Sequence, residues 1–130
     1  MNFDSIAAKI DTKTAANEGA KMEVRDAAGV PLTKADGTPI TITLLGRDSD
    51  AFVQQENRNT NRRLQQGPRV KLTAEALKAE AINLLARCTK AWDFDEPCNV
   101  DTATELYTRF PAIKDQADEF IAERANFTKA

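Results

Sequence analysis

The apolar residues of this chain change their spacing near Gly46, and that change limits what it can fold into. Before it, Lys21-Met22-Glu23-Val24-Arg25 and Ile40-Thr41-Ile42-Thr43-Leu44 alternate, the period-two pattern of strands that lay one face on a core. After it, Leu77, Ala81, Leu84, Leu85, Cys88, Ala91 and Trp92 recur at helical steps, and so do Ile113, Ala117, Phe120, Ile121, Arg124 and Phe127. The pattern predicts an α+β protein, with a β-hairpin module over residues 1–46 followed by a mainly α-helical part over 47–130. At 130 residues the chain can bury one modest core, so the two parts should form one compact domain.

Local signals place the elements. Two clusters of turn formers, Ala28-Gly29-Val30-Pro31 and Ala35-Asp36-Gly37-Thr38-Pro39, predict a long, bent connection between the strands. Asp48-Ser49-Asp50 offers cap oxygens for a helix that runs past Phe52 and Val53 to Leu64 and stops at Gly67-Pro68. Between residues 54 and 63 that helix is nearly all amide and charge, which predicts a solvent-facing or projecting element. Thr73 caps the strongest helix, read as continuing to Trp92 with Leu77, Leu84 and Leu85 buried. Asp101 or Thr102 should cap the next, with Thr102 and Glu105 as a capping box, and Pro111 suits the first turn of the last. No internal repeat is expected, and the only biased segment is the amide-rich patch at 57–61.

The residue types argue against catalysis. There is no histidine to act as a proton acceptor near neutral pH, and the two serines, Ser5 and Ser49, lie in no nucleophile motif. Neither phosphate-binding glycine motif is present. Cys88 and Cys98 cannot complete a zinc site by themselves, and Cys88 falls on a helical apolar stripe, where a thiol behaves as a small hydrophobe. Acidic pairs such as Asp93 with Asp95 lack the ligand order of a calcium loop. The expectation is a non-enzyme without metal or cofactor. No apolar run is long enough to span a membrane and no secretory signal opens the chain, which predicts a cytoplasmic protein.

Charge is unevenly spread. Residues 47–71 carry six basic against three acidic side chains, and residues 73–127 carry six basic against eleven acidic. Arg58, Arg62, Arg63, Arg69 and Lys71 form a basic cluster, but no aromatic accompanies them and the overall pI is acidic, so nucleic acid is not the expected partner. The aromatic residues Trp92, Phe94, Tyr107, Phe110, Phe120 and Phe127 concentrate in the C-terminal third. Such residues build a core, or line a groove that accepts a partner helix, and these six are the candidate partner-binding set.

Glu105-Leu106-Tyr107-Thr108-Arg109-Phe110-Pro111, followed by AIKDQADEFIAERANF, resembles the C-terminus of bacteriophage tail assembly chaperones. ANEGAKMEVRDAAGVPL and then ITITLLGRDSDAF are similar in order to that family's N-terminal half. The resemblance implies a protein of the host cytoplasm, absent from the mature virion, that holds the long helical tape measure protein soluble while the tail assembles. It implies no catalytic residues, and it makes the tail tube protein and a second copy of the chain further candidate partners. Many members of the family also have a longer, frameshifted form. The alternative expectation is a structural virion component, such as a tail completion or head-tail connector subunit, which the same fold class would serve.

Overall fold

The strand Thr41–Leu44 pairs on both sides, and the rest of the chain is arranged around it. A computed structural model describes residues 1–68 and 72–128. Its elements are helices α1 (Phe3–Ile10) and α2 (Lys13–Glu18), strands β1 (Ala20–Glu23) and β2 (Thr41–Leu44), helices α3 (Asp50–Gln66) and α4 (Ala74–Arg87), strand β3 (Thr89–Trp92), helices α5 (Val100–Arg109) and α6 (Pro111–Ala122), and a 3-10 turn at Arg124–Phe127. The protein is α+β, as the change of period indicates. Arg69 and Lys71 of the basic cluster lie outside the described residues.

The antiparallel sheet has the order β1-β2-β3. Met22 faces Ile42 across β1 and β2, and the side chains of Met22, Val24, Ile42 and Leu44 all enter the core. Ile82, Leu85 and Ala86 of α4, Ala103 and Tyr107 of α5, and Ala117 and Ile121 of α6 cover that face. Lys21 and Glu23, one position out of phase, stay in solvent, as strand alternation requires.

The connection between β1 and β2 is not an irregular bend. Asp26-Ala27-Ala28-Gly29-Val30-Pro31-Leu32-Thr33 and Lys34-Ala35-Asp36-Gly37-Thr38-Pro39-Ile40-Thr41 are two copies of one turn, sharing Ala, Gly, Pro and Thr at equivalent places. This corrects the expectation that the chain holds no repeat. In each copy the amide of the glycine donates to the carbonyl three residues earlier, Gly29 to Asp26 and Gly37 to Lys34, both at 2.9 Å. Both glycines sit at positive φ, 85° and 87°, where a Cβ would be strained. Val24, Leu32 and Ile40, eight residues apart, close a ring of backbone hydrogen bonds. Leu32 donates to Val24 (2.9 Å), Ile40 to Leu32 (2.9 Å) and Val24 to Ile40 (3.0 Å). Their side chains meet on the core side, so the unit is held by its own backbone and by burial.

The helix read as running from Thr73 to Trp92 ends at Arg87. Thr89–Trp92 is instead the third strand, pairing Thr43 with Ala91 and Ile42 with Trp92, with a bulge that leaves Lys90 as the extra residue. Thr89 favours the break, because its hydroxyl donates back to the Leu85 carbonyl at 2.9 Å and so competes with continued helix. Ala91 and Trp92 satisfy a helical or an alternating period equally well, and the unfilled edge of β2 decides between them. The sheet therefore joins residues from both sides of position 46.

The buried face of α4 is also rotated from its expected position. Ile82, Leu85 and Ala86 are buried, Leu84 is half-buried and Leu77 is 43% exposed. Thr73 caps this helix as predicted, its hydroxyl accepting from the Ala76 amide at 3.0 Å. For α5 the cap lies earlier than expected, since Asn99 and Thr102 exchange the capping-box bonds in place of Thr102 and Glu105.

Helix α3 begins at its Ser49 cap and ends before Gly67, as the sequence indicates, but it does not project. It packs against α4. Gln55 and Asn59 are buried, the Gln55 amide donating to the Asn59 carbonyl oxygen at 3.1 Å. Arg62 donates to the same oxygen at 3.2 Å, and Arg63 pairs with Glu80 on α4. Only Gln55 and Asn59 among the amides are buried, and the rest of the amide-rich stretch, including Gln54, Asn57 and Asn61, faces solvent as its composition indicates.

At the opposite end, Asp48 ties the N-terminal helices to the C-terminal turn. Its carboxylate accepts from the Thr12 hydroxyl and takes two bonds from the Arg124 guanidinium, at 2.8 and 3.0 Å. Beside it Gly46 lies so close to Ala16 and Phe127 that an added Cβ would stand 2.9 Å from each side chain.

Two outcomes follow. Leu85→Ala should cost about 2 to 5 kcal/mol in denaturant titration, whereas Leu77→Ala, at an exposed site, should cost less than about 1 kcal/mol. Arg124, and then Thr12, hold the Asp48 carboxyl down to about 2. A depressed carboxyl contributes stability above its unfolded value of about 3.9 and loses it as pH falls through its folded value. Acid titration of the melting temperature should therefore show a loss between about pH 4 and pH 2 that Asp48→Asn reduces.

Candidate functional site

Helices α5 and α6 meet at Phe110, whose amide closes α5 on Leu106 while its carbonyl accepts from Ile113 and Lys114 at the start of α6. Pro111 occupies the first turn of α6, where its missing N–H costs no hydrogen bond. The two helices diverge from this corner, and β3 delivers Trp92 and the following loop delivers Phe94 opposite them. A groove of about 590 Å³ runs between, with Leu32 and the first eight-residue turn closing one end.

The floor is apolar. Trp92 and Phe94 pack edge to face, with centroids 5.5 Å apart and planes at 70°, and Leu106, Phe110 and Ile113 form the other wall. The indole N–H donates to the Glu96 carbonyl at 2.7 Å, which fixes the ring and folds the loop back over it. Phe110 is 42% exposed, and the Arg109 guanidinium lies 5.2 Å from its ring centroid. Arg25, Asp26, Glu96, Glu105 and Arg109 make a charged rim. This combination of an apolar floor and a polar edge suits a peptide or helix face.

The six candidate aromatics divide. Trp92, Phe94 and Phe110 line the groove. Tyr107 does not, being 1% exposed in the core. Its hydroxyl lies 2.7 Å from that of Thr89, which already donates to Leu85, so the phenol donates. Burial pushes the Tyr107 phenol well above its ordinary range. Phe127 is also a core residue, at 2% exposure, and packs edge to face with the half-buried Phe120 at 5.6 Å. Phe120 lines a separate shallow cleft with Met22 and Gln116. The expected partner-binding set is corrected accordingly: Tyr107 and Phe127 offer no surface to a partner.

Leu32, Leu106 and Ile113 belong to the groove and were not nominated from sequence. Leu106 on α5 and Ile113 on α6 flank Phe110 at the corner where the two helices diverge, and the fold brings all three to the groove. Leu32 could be found only through the eight-residue repeat. Cys88 is buried, and burial alone pushes its thiol up to about 12, consistent with an inert core residue. Among the described residues no helix is long and apolar enough to cross a membrane.

Comparison with protein-family models, curated proteins and solved structures found no match to this chain.

The partition of aromatics predicts a partition of effects. Phe110→Ala should lower stability by about 1 kcal/mol or less, while Tyr107→Ala should cost about 3 to 5 kcal/mol, both read from chemical denaturation. Similar large losses for both would place Phe110 in the core and remove it from the groove's working surface.

Proposed function

We propose that this protein is a phage tail assembly chaperone that binds the tape measure protein and keeps it soluble in the host cytoplasm. The observation that carries the reading is the groove formed by Trp92, Phe94, Leu106, Phe110 and Ile113 on an acidic helical corner. The resemblance of the segments around it to that family supplies the identity of the client.

The physical task matches the surface. A long helix assembled without its final partners exposes an apolar stripe that would aggregate. An apolar groove covers two or three side chains of such a stripe, and the charged exterior of the chaperone keeps the complex in solution. One groove of this size gives weak binding, and many copies along a repetitive client give avidity. Weak individual contacts also allow displacement as tail-tube subunits close around the client. No bond is made or broken in this role, and none of the groove's side chains acts as a nucleophile.

Co-expression with the tape measure protein of the same phage tests the proposal. The client should remain soluble and co-purify with this chain or its frameshifted form, and Phe110→Asp should abolish co-purification without unfolding the chaperone. An insoluble client that co-purifies with neither form would sink the reading. Recovery of the chain from purified virions would favour the structural-component alternative.

A further inference from the structure

The groove has an uneven charge. Glu96 on the loop after β3 and Glu105 on α5 stand on its rim, and among the described residues neither carboxylate has an ion-pair partner. Residues 93–119 carry eight acidic side chains and two basic ones. Two of the eight are neutralised locally, Asp93 by Lys34 and Asp118 by Lys114. Of the rim's positive groups, Arg25 donates to the Gly29 carbonyl at 3.0 Å, and Arg109 lies over the Phe110 ring. Both arginines are exposed and keep their charge, so with Asp26 the rim carries three acidic groups against two basic ones, and the acidic excess falls on the side of Glu96 and Glu105.

An incoming helix whose apolar stripe is flanked by carboxylates would set like charges against Glu96 and Glu105. One flanked by lysine or arginine would gain from the same pair. We propose that the groove selects a basic amphipathic helix, with large apolar side chains on the Trp92 and Phe110 floor and Lys or Arg facing Glu96 and Glu105. This rests on the reading of the groove as the client site. The chain's own α1 is not the occupant these charges select. Its apolar stripe of Phe3, Ile6 and Ile10 is flanked by one acid, Asp4, and one base, Lys9.

Trp92 is the only tryptophan, so its fluorescence reports the groove directly. Two synthetic peptides of about 18 residues, long enough to be helical, would share one Leu/Phe stripe and differ only in having Lys or Glu at the flanking positions. The Lys peptide should shift Trp92 emission and bind about tenfold tighter at low salt, from two exposed charge pairs and the repulsion relieved. The preference should shrink as salt shortens the screening length. Glu96→Lys combined with Glu105→Lys should reverse it while leaving the melting curve unchanged, since both sites are exposed. Equal binding of the two peptides, or a preference for the Glu peptide, would overturn the charge assignment and leave the groove as the client site. Silence of Trp92 to both would overturn it as well, and co-purification of the full-length client then decides the chaperone reading separately. A Trp92 shift that depends on protein concentration alone would identify a second copy as the occupant and overturn the proposal.

Discussion

Ile42 and Leu44 are fully buried in the middle strand, and the rest of the structure depends on closing both edges of that strand. A two-stranded hairpin is marginal in water, because it buries too little and leaves backbone groups unpaired. Here β2 obtains its second neighbour from sequence some 50 residues away, immediately after α4. That pairing forces α4 to stop at Arg87 and turns the chain at Cys88. It also sets Trp92 opposite Ile42, so the residue at the end of β3 is carried to the head of the groove. Asp93 extends the same pairing, accepting from both the Thr41 amide and its hydroxyl.

The eight-residue turns serve the same requirement from the other side. Their ring of three backbone hydrogen bonds satisfies groups that β1 and β2 alone would leave unpaired where the strands part. The unit is then fastened to the helices by Gln116 on α6, whose amide both donates to and accepts from the backbone of Arg25. Lys34 reaches Asp93 across the second turn. The turns bring Leu32 and Arg25 to the groove, which is thus built from both halves of the chain.

What could be read from sequence divides along physical lines. Helix caps at Ser49 and Thr73 and the proline at 111 were legible because each is a local hydrogen-bonding device with a local signature. Strand β3 was not, because four residues with Ala91 and Trp92 carry either period, and the choice is made by a distant unfilled edge. Helix α3 was legible in part, since most of it faces solvent as its composition indicates, but the buried pair Gln55 and Asn59 was not. A polar stripe looks solvated until a partner supplies complementary polar groups, and Glu80 on α4 does so for Arg63. Among the six aromatics, helical position separated nothing. Tyr107 and Phe110 are three residues apart on one stripe, yet one lies in the core and the other at the corner where the helix ends.

The distribution of apolar side chains gives the groove its character. Between α3 and α4 the chain buries Gln55 and Asn59, while Val53 and Leu64 on the same helix remain exposed. Arg63 joins that interface to Glu80, yet its buried Nε has no partner among the described residues, so the polar contact adds little net free energy over water. Around the groove the order is the reverse. Its walls are anchored by Tyr107, Ala103 and Ala117, which are fully or almost fully buried, and by the indole bond to the Glu96 carbonyl. Trp92, held by its indole bond and its edge contact with Phe94, therefore presents apolar surface with little side-chain freedom left to lose, while Phe110 is the more exposed member of the wall. Because ordering costs are a principal reason that buried area fails to become affinity, a wall held in this way would suit the helix-binding role proposed for the groove.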